Sequence, residues 1–171
     1  MDKINIPLSS DKVKSALGPD TRILKYSDLK QFNTIKDLLP NKNDFVILLI
    51  EDKQDSGHWT CLMNTKKGYY YFNSYGGKYD SDLSVIPMCI RSILGQNKKE
   101  ITRLLGDTIC DWNKKKYQGE RSQVCGRWTI LIITMVCMMG YTPKEFEEFV
   151  TEQKNNYGGS YDELVASLVA I

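Results

Sequence analysis

From Cys125 to Met139 the chain reads Cys-Gly-Arg-Trp-Thr-Ile-Leu-Ile-Ile-Thr-Met-Val-Cys-Met-Met, apolar on nearly every side of a helix, and Gly140 supplies its stop. A helix without a polar face must be wrapped by other elements, so the fold has to be built around this segment. Its longest apolar run, Trp128 to Met139, is well short of the ~20 residues that cross a bilayer. It reads as a buried central helix, and no membrane partner is expected. No internal repeat or low-complexity linker interrupts the chain. Residues 1–171 are therefore read as one domain, long enough to bury a core without staples.

What wraps the helix is legible in part. Phe45-Val46-Ile47-Leu48-Leu49-Ile50 is a continuous apolar, β-branched run, expected of a strand buried on both faces. His58 to Met63 and Tyr69 to Phe72 read as two more strands, joined by Asn64-Thr65-Lys66-Lys67-Gly68 as a hairpin turn. Thr108 to Trp112 reads as a short fourth. Ser9-Ser10-Asp11 caps a helix toward Leu17, Ser27-Asp28 a second, and Thr34 a third that stops at Pro40. Asp82 starts a helix through Leu94, with Pro87 forcing a later start or a kink. Thr142-Pro143 opens another, and Gly158-Gly159-Ser160 separates it from a last helix, Tyr161 to Ile171. The pattern predicts an α+β domain, a mixed central sheet packed by helices.

Bulk chemistry excludes more than it selects. A formal charge of +2 gives no special support to a nucleic-acid partner, and the lysines at 98–99 and 114–116 read as a solvated face. Five cysteines without a CxxC pair, after a polar Met1-Asp2-Lys3-Ile4-Asn5 opening, point to free thiols in a reducing compartment and not to secretion. One histidine and scattered cysteines do not supply paired zinc ligands, so no metal is expected. Cys61, Cys89, Cys110 and Cys137 read as small buried hydrophobes.

Cys125 is different, because it stands where the central helix begins. There the helix dipole favours the thiolate, and an imidazole partner would favour it further. His58 is the chain's one candidate for that base. It opens one strand while Asn73 ends the hairpin partner, so the two are neighbours, and an amide can orient an imidazole without adding charge. Gln118 precedes the cysteine and can join the Cys125 N–H as a donor to a tetrahedral oxyanion, each donor worth about 3–4 kcal/mol of barrier. Gly126 would admit a substrate carbonyl to the backbone. Each residue also has a plainer reading: Asn73 as turn chemistry, Gln118-Gly119 as an exposed loop, Trp59 as a core tryptophan.

Taken in order, His58-Trp59, Phe72-Asn73-Ser74-Tyr75-Gly76, Gln118-Gly119 and Cys125-Gly126 resemble the motifs of the adenovirus maturation protease (adenain) family and of the related proteases that process ubiquitin-like modifiers. The resemblance lies between His58 and Trp128. The gap of seven from glutamine to cysteine is closer to the adenovirus branch, and Val124 stands where the modifier branch carries Asp. Asn73 stands where relatives carry Asp or Glu. The resemblance implies an adenain-like fold and a cysteine endopeptidase with a Cys125-His58-Asn73 triad and a Gln118 oxyanion hole. It also implies that Trp59 walls a narrow substrate channel, with a preference for Gly-containing sites.

Similar enzymes of large DNA viruses, virophages and Polinton-type elements cleave capsid precursors, so the implied partners are capsid proteins, in the virion and the virus factory. A monomer is favoured. No cofactor is required by the residues themselves, although the adenovirus relative uses an activating peptide and DNA. Two other functions fit the same residues: an isopeptidase acting on ubiquitin-like modifiers, and a capsid-binding pseudoprotease that does not cut.

Overall fold

A computed structural model describes residues 3–171. Met1 and Asp2, two of the five residues of the polar opening discussed above, lie outside the described residues. The helices and strands in chain order are α1 (Ser10–Leu17), β1 (Ile23–Lys25), α2 (Ile35–Leu38), β2 (Phe45–Lys53), β3 (Ser56–Thr65) and β4 (Gly68–Phe72). They continue with α3 (Met88–Leu94), α4 (Glu100–Leu105), β5 (Cys110–Trp112), α5 (Cys125–Ile133), α6 (Pro143–Tyr157) and α7 (Tyr161–Leu168). The five strands form one sheet in sequence order. β2, β3 and β4 form an antiparallel meander with β3 in the middle, and β1 and β5 flank it, each parallel to its neighbour. The result is a single α+β domain with a mixed sheet.

The β2 run is buried from Val46 to Ile50 because both faces of the sheet are covered. On one face Ile47, Cys61, Met63, Tyr70 and Phe72 pack with Trp128, Ile132 and Ile133 of α5, and α1, α6 and α7 surround that helix. On the other, Val46, Leu48, Ile50, Leu62 and Tyr71 pack under α2, α4 and a 3₁₀ turn at Tyr26–Gln31. Trp128 is fully buried. The central helix is thus enclosed, as its lack of a polar face requires. Its last part widens into a π-helical turn, Thr134–Met138, and Gly140 leaves it at φ +81°.

Local signals place most helix ends. Ser9, Thr34, Thr142 and Ser160 each accept a hydrogen bond from a backbone N–H of the first turn, and at Thr34, Thr142 and Ser160 an acidic residue completes a capping box. Pro87 settles the start of α3: a 3₁₀ turn at Ser81–Val85 comes first, and the α-helix begins only at Met88. The helix expected after Ser27-Asp28 is instead the 3₁₀ turn beginning at Tyr26, tied by Lys25 N–H to the Asp28 carboxylate at 3.0 Å. β1 and α4 carry no strong local signature and were not expected. Cys89 also differs from expectation. α3 buries none of its residues, so that cysteine is exposed, while Cys61, Cys110 and Cys137 are buried.

One mismatch in strand length creates the site. β4 pairs only Cys61–Thr65 of β3, whereas β2 pairs β3 back to Ser56. The first residues of β3 therefore have no β4 neighbour, and the sheet is open beside His58 and Trp59. At the start of this overhang Gly57 faces Glu51 just before a bulge. A Cβ on Gly57 would fall 2.0 Å from the Ile50 carbonyl oxygen, so only glycine fits.

Candidate active site

The opening is a cleft of about 500 Å³ lined by His58, Trp59, Tyr75, Asp82, Gln118 and Cys125, among others. All five residues singled out in the sequence except Asn73 line it, and Asn73 stands directly behind His58, fully buried.

The hairpin register explains the His58–Asn73 contact. Cys61 pairs with Phe72, so extending the ladder sets Asn73 against Thr60 and makes His58 its diagonal neighbour on the same face. His58 Nε2 lies 2.7 Å from Asn73 Oδ1. The amide orientation follows from its other partners: Oδ1 accepts from Tyr75 N–H at 3.0 Å, and Nδ2 donates to Asp82 Oδ2 at 2.8 Å. With an acceptor oxygen turned to the ring, the imidazole proton belongs on Nε2, which leaves the Nδ1 lone pair free to act as a base. Tyr75 stacks on the ring, with centroids 4.6 Å apart.

Asn73 is held as firmly as it holds. Asn113, just past β5, accepts from Asn73 N–H at 3.0 Å and donates to its carbonyl at 2.7 Å, so one side chain continues the β4–β5 ladder beyond its end. The next residue, Ser74, organises the second half of the site. Its carbonyl accepts the backbone N–H groups of Tyr117 and Gln118, and its hydroxyl donates to Gln118 Oε1 at 2.6 Å. Gln118 Nε2 donates to the Ser122 carbonyl at 2.8 Å, which uses one of its two hydrogens. Gln118 is buried in a fixed orientation, not part of a loose loop. Asp162 of α7 braces the following turn by accepting from Gly119 N–H at 3.2 Å.

Cys125 is the first residue of α5. Burial pushes its thiol above the ordinary value, against the opposing pull of the Trp59, Gly126 and Cys125 N–H groups. Burial likewise lowers His58 to about 4, only partly offset by its bond to Asn73. The depressed thiol expected from the helix position and an imidazole partner is therefore not found. Both groups are neutral at pH 7, because desolvation outweighs the N–H dipoles that favour the thiolate. Gly126 also has a different reason than substrate approach. A Cβ there would meet Leu8 Cβ at 3.2 Å and Trp59 Cδ1 at 3.5 Å, so the glycine lets the N-terminal segment and β3 close on the helix. Trp59 packs against the α5 side of the core and also lines the cleft.

Ser74, Asp82 and Asn113 were not singled out as site residues in the sequence. Ser74 lay in the turn read after Asn73, Asp82 was read as a helix start, and Asn113 had no reading at all. Their partners lie nine to forty-four residues away, beyond any local pattern. Among the described residues no group of three or more His, Cys, Asp or Glu could hold a metal, and no helix is long and apolar enough to cross a membrane.

Fold and site thus describe an α+β domain whose open sheet edge brings a helix-terminal cysteine, an amide-held histidine and a buried glutamine into one cleft. The chain belongs to the family of uncharacterized protein V9 of Sputnik virophage. The two are 30% identical over 168 residues, covering 95% of this chain and 94% of that protein. No protein-family model matches the chain.

Proposed function

We propose that this chain is a cysteine endopeptidase of the adenain-like kind that matures the capsid precursors of a virophage or similar DNA virus, in the virion or the virus factory. The observation that carries the reading is the 2.7 Å bond from His58 Nε2 to Asn73 Oδ1, in a cleft shared with Cys125 and Gln118. That bond leaves Nδ1 as the acceptor a thiol nucleophile needs. In the proposed reaction the Cys125 sulfur attacks the scissile carbonyl carbon while its proton passes to His58 Nδ1. The oxyanion takes hydrogen bonds from the Cys125 N–H and the second Nε2 hydrogen of Gln118. The imidazolium then protonates the leaving amine. Water, deprotonated by His58, hydrolyses the thioester and returns the free thiol.

Because both groups are neutral at rest, His58 acts as a general base during attack and not as one half of a standing ion pair. Trp59 forms one wall of the cleft, which supports a preference for small residues, glycine above all, at the scissile bond. The experiment is cleavage of candidate capsid precursors by the wild type and by Cys125→Ala. Loss of cleavage in the variant is expected, and equal cleavage by both proteins would remove the assignment.

The elevated thiol favours a second reading, a capsid-binding protein that does not cut. It is separated from the first by the same assay. A non-cutting binder retains capsid precursor with either residue at 125 and cleaves it with neither.

A further inference from the structure

Asp82 lies in the 3₁₀ turn after the Asn73 loop, lines the cleft, and accepts from Asn73 Nδ2 at 2.8 Å. The amide it holds meets His58 Nε2 at 2.7 Å with its other end. An amide can bridge a carboxylate and an N–H in this way, donating from one end and accepting at the other. We infer that Asp82 is a positioning residue of the site: by holding Asn73 Nδ2 it fixes which end of the amide meets His58, and so which ring nitrogen is left to take the thiol proton. The inference rests on the peptidase reading for its consequence, but its geometry stands independently of it.

The arrangement accounts for the amide at position 73, where the resembling enzymes carry a carboxylate. An Asp at 73 would stand within hydrogen-bond distance of Asp82, and two carboxylates that close share a proton instead of both ionising. Here the carboxylate is one step removed, and the amide carries its influence to the ring. Burial raises Asp82 to about 6, and the Tyr71 side chain and Asn73 amide pull it down. Asp80 raises it slightly, and Tyr75 is the other titratable ring that senses it. Asp80 itself is committed elsewhere, to the Tyr26 hydroxyl and to Thr102, so it does not replace Asp82. Without the Asp82 acceptor, only Tyr75 N–H would oppose an amide flip. The flipped amide would donate to Nε2, move the ring proton to Nδ1, and leave Nδ1 with no lone pair to accept a proton.

His58 is the chain's one histidine, so isotope-labelled histidine reports its tautomer without ambiguity. At about pH 7 the wild-type ring is expected to be protonated on Nε2 and neutral. Asp82→Ala should shift a large share of the ring to the Nδ1–H form and lower kcat on a capsid precursor by about 100-fold, with KM little changed. Asp82→Asn keeps an oxygen for Asn73 Nδ2, so it should keep the wild-type tautomer while losing the limb of the pH–rate profile near pH 6. It also serves as the readout if the alanine variant does not fold. Wild-type ring signals and wild-type kcat in Asp82→Ala, beside an inactive Cys125→Ala, would overturn the positioning role and leave the peptidase reading intact. So would an unchanged pH–rate limb in Asp82→Asn. Undiminished cleavage by Cys125→Ala would instead remove the peptidase reading, while the tautomer measurement still decides whether Asp82 sets the ring.

Discussion

At the scale of single residues, burial governs the site more than charge does. His58 and Asp82 are linked through Asn73 and are shifted in opposite senses, the first down to about 4 and the second up to about 6. The signs give opposing pH dependences. Between about pH 6.5 and 4 the unfolded chain protonates its histidine while the folded ring resists, so acid costs stability. Between about pH 6 and 3.8 the folded Asp82 takes its proton first, so acid adds stability and offsets part of that loss. Asp82→Asn removes the offset. Its melting temperature should therefore fall more steeply than the wild type's as pH drops from 6 to 4, and parallel curves would contradict the linkage. The difference between the two proteins cancels the many carboxylates they share.

At the scale of elements, two glycines set how strands and helix meet. Gly57 has backbone where a side chain would go, so Gly57→Ala must break the β2–β3 register beside His58 or unfold the chain. We expect a loss of at least about 3 kcal/mol, measured by urea unfolding, from a clash that no side-chain rotation relieves. Gly126 meets only side chains, so Gly126→Ala should cost less, roughly 1–3 kcal/mol. Removing the closest contact, Leu8 Cβ, in a Leu8→Gly background should return part of that cost. A double-mutant cycle with no coupling between positions 8 and 126 would mean that the N-terminal segment does not rest on the helix as described. The His58–Asn73 contact was legible at this scale, because hairpin pairing is fixed by two adjacent strands and the turn between them.

At the scale of the molecule, one sheet serves two cores, with α5 in one and the 3₁₀ turn, α2 and α4 in the other. Because β2, β3 and β4 contribute side chains to both, neither core can be lost alone without exposing the back of the other. Unfolding is therefore expected to be two-state. Trp128 reports the first core, and Trp112, packed against the second, reports the other. Denaturant transitions followed in a variant retaining only Trp128, in one retaining only Trp112, and by far-UV circular dichroism should have coincident midpoints. Separated midpoints would show that the cores melt independently.

The sequence by itself determined the elements whose causes are local. An all-apolar helix, a two-face-buried strand, a hairpin and four capped helix starts follow from periodicity and from side chains that reach only three residues along the chain. It also brought His58 to Asn73 and set Cys125 at a helix start. Tertiary structure alone decided what those residues experience. The parallel pairing of β1 with β2 and of β5 with β4, the Asn113 and Ser74 clamps and the Asp82 contact join segments apart in the chain, and no local pattern encodes those contacts. Protonation was decided there as well. A cysteine at a helix N-terminus is favoured as thiolate by its own helix, but burial under β3 reverses the balance, since desolvation depends on everything packed around the sulfur.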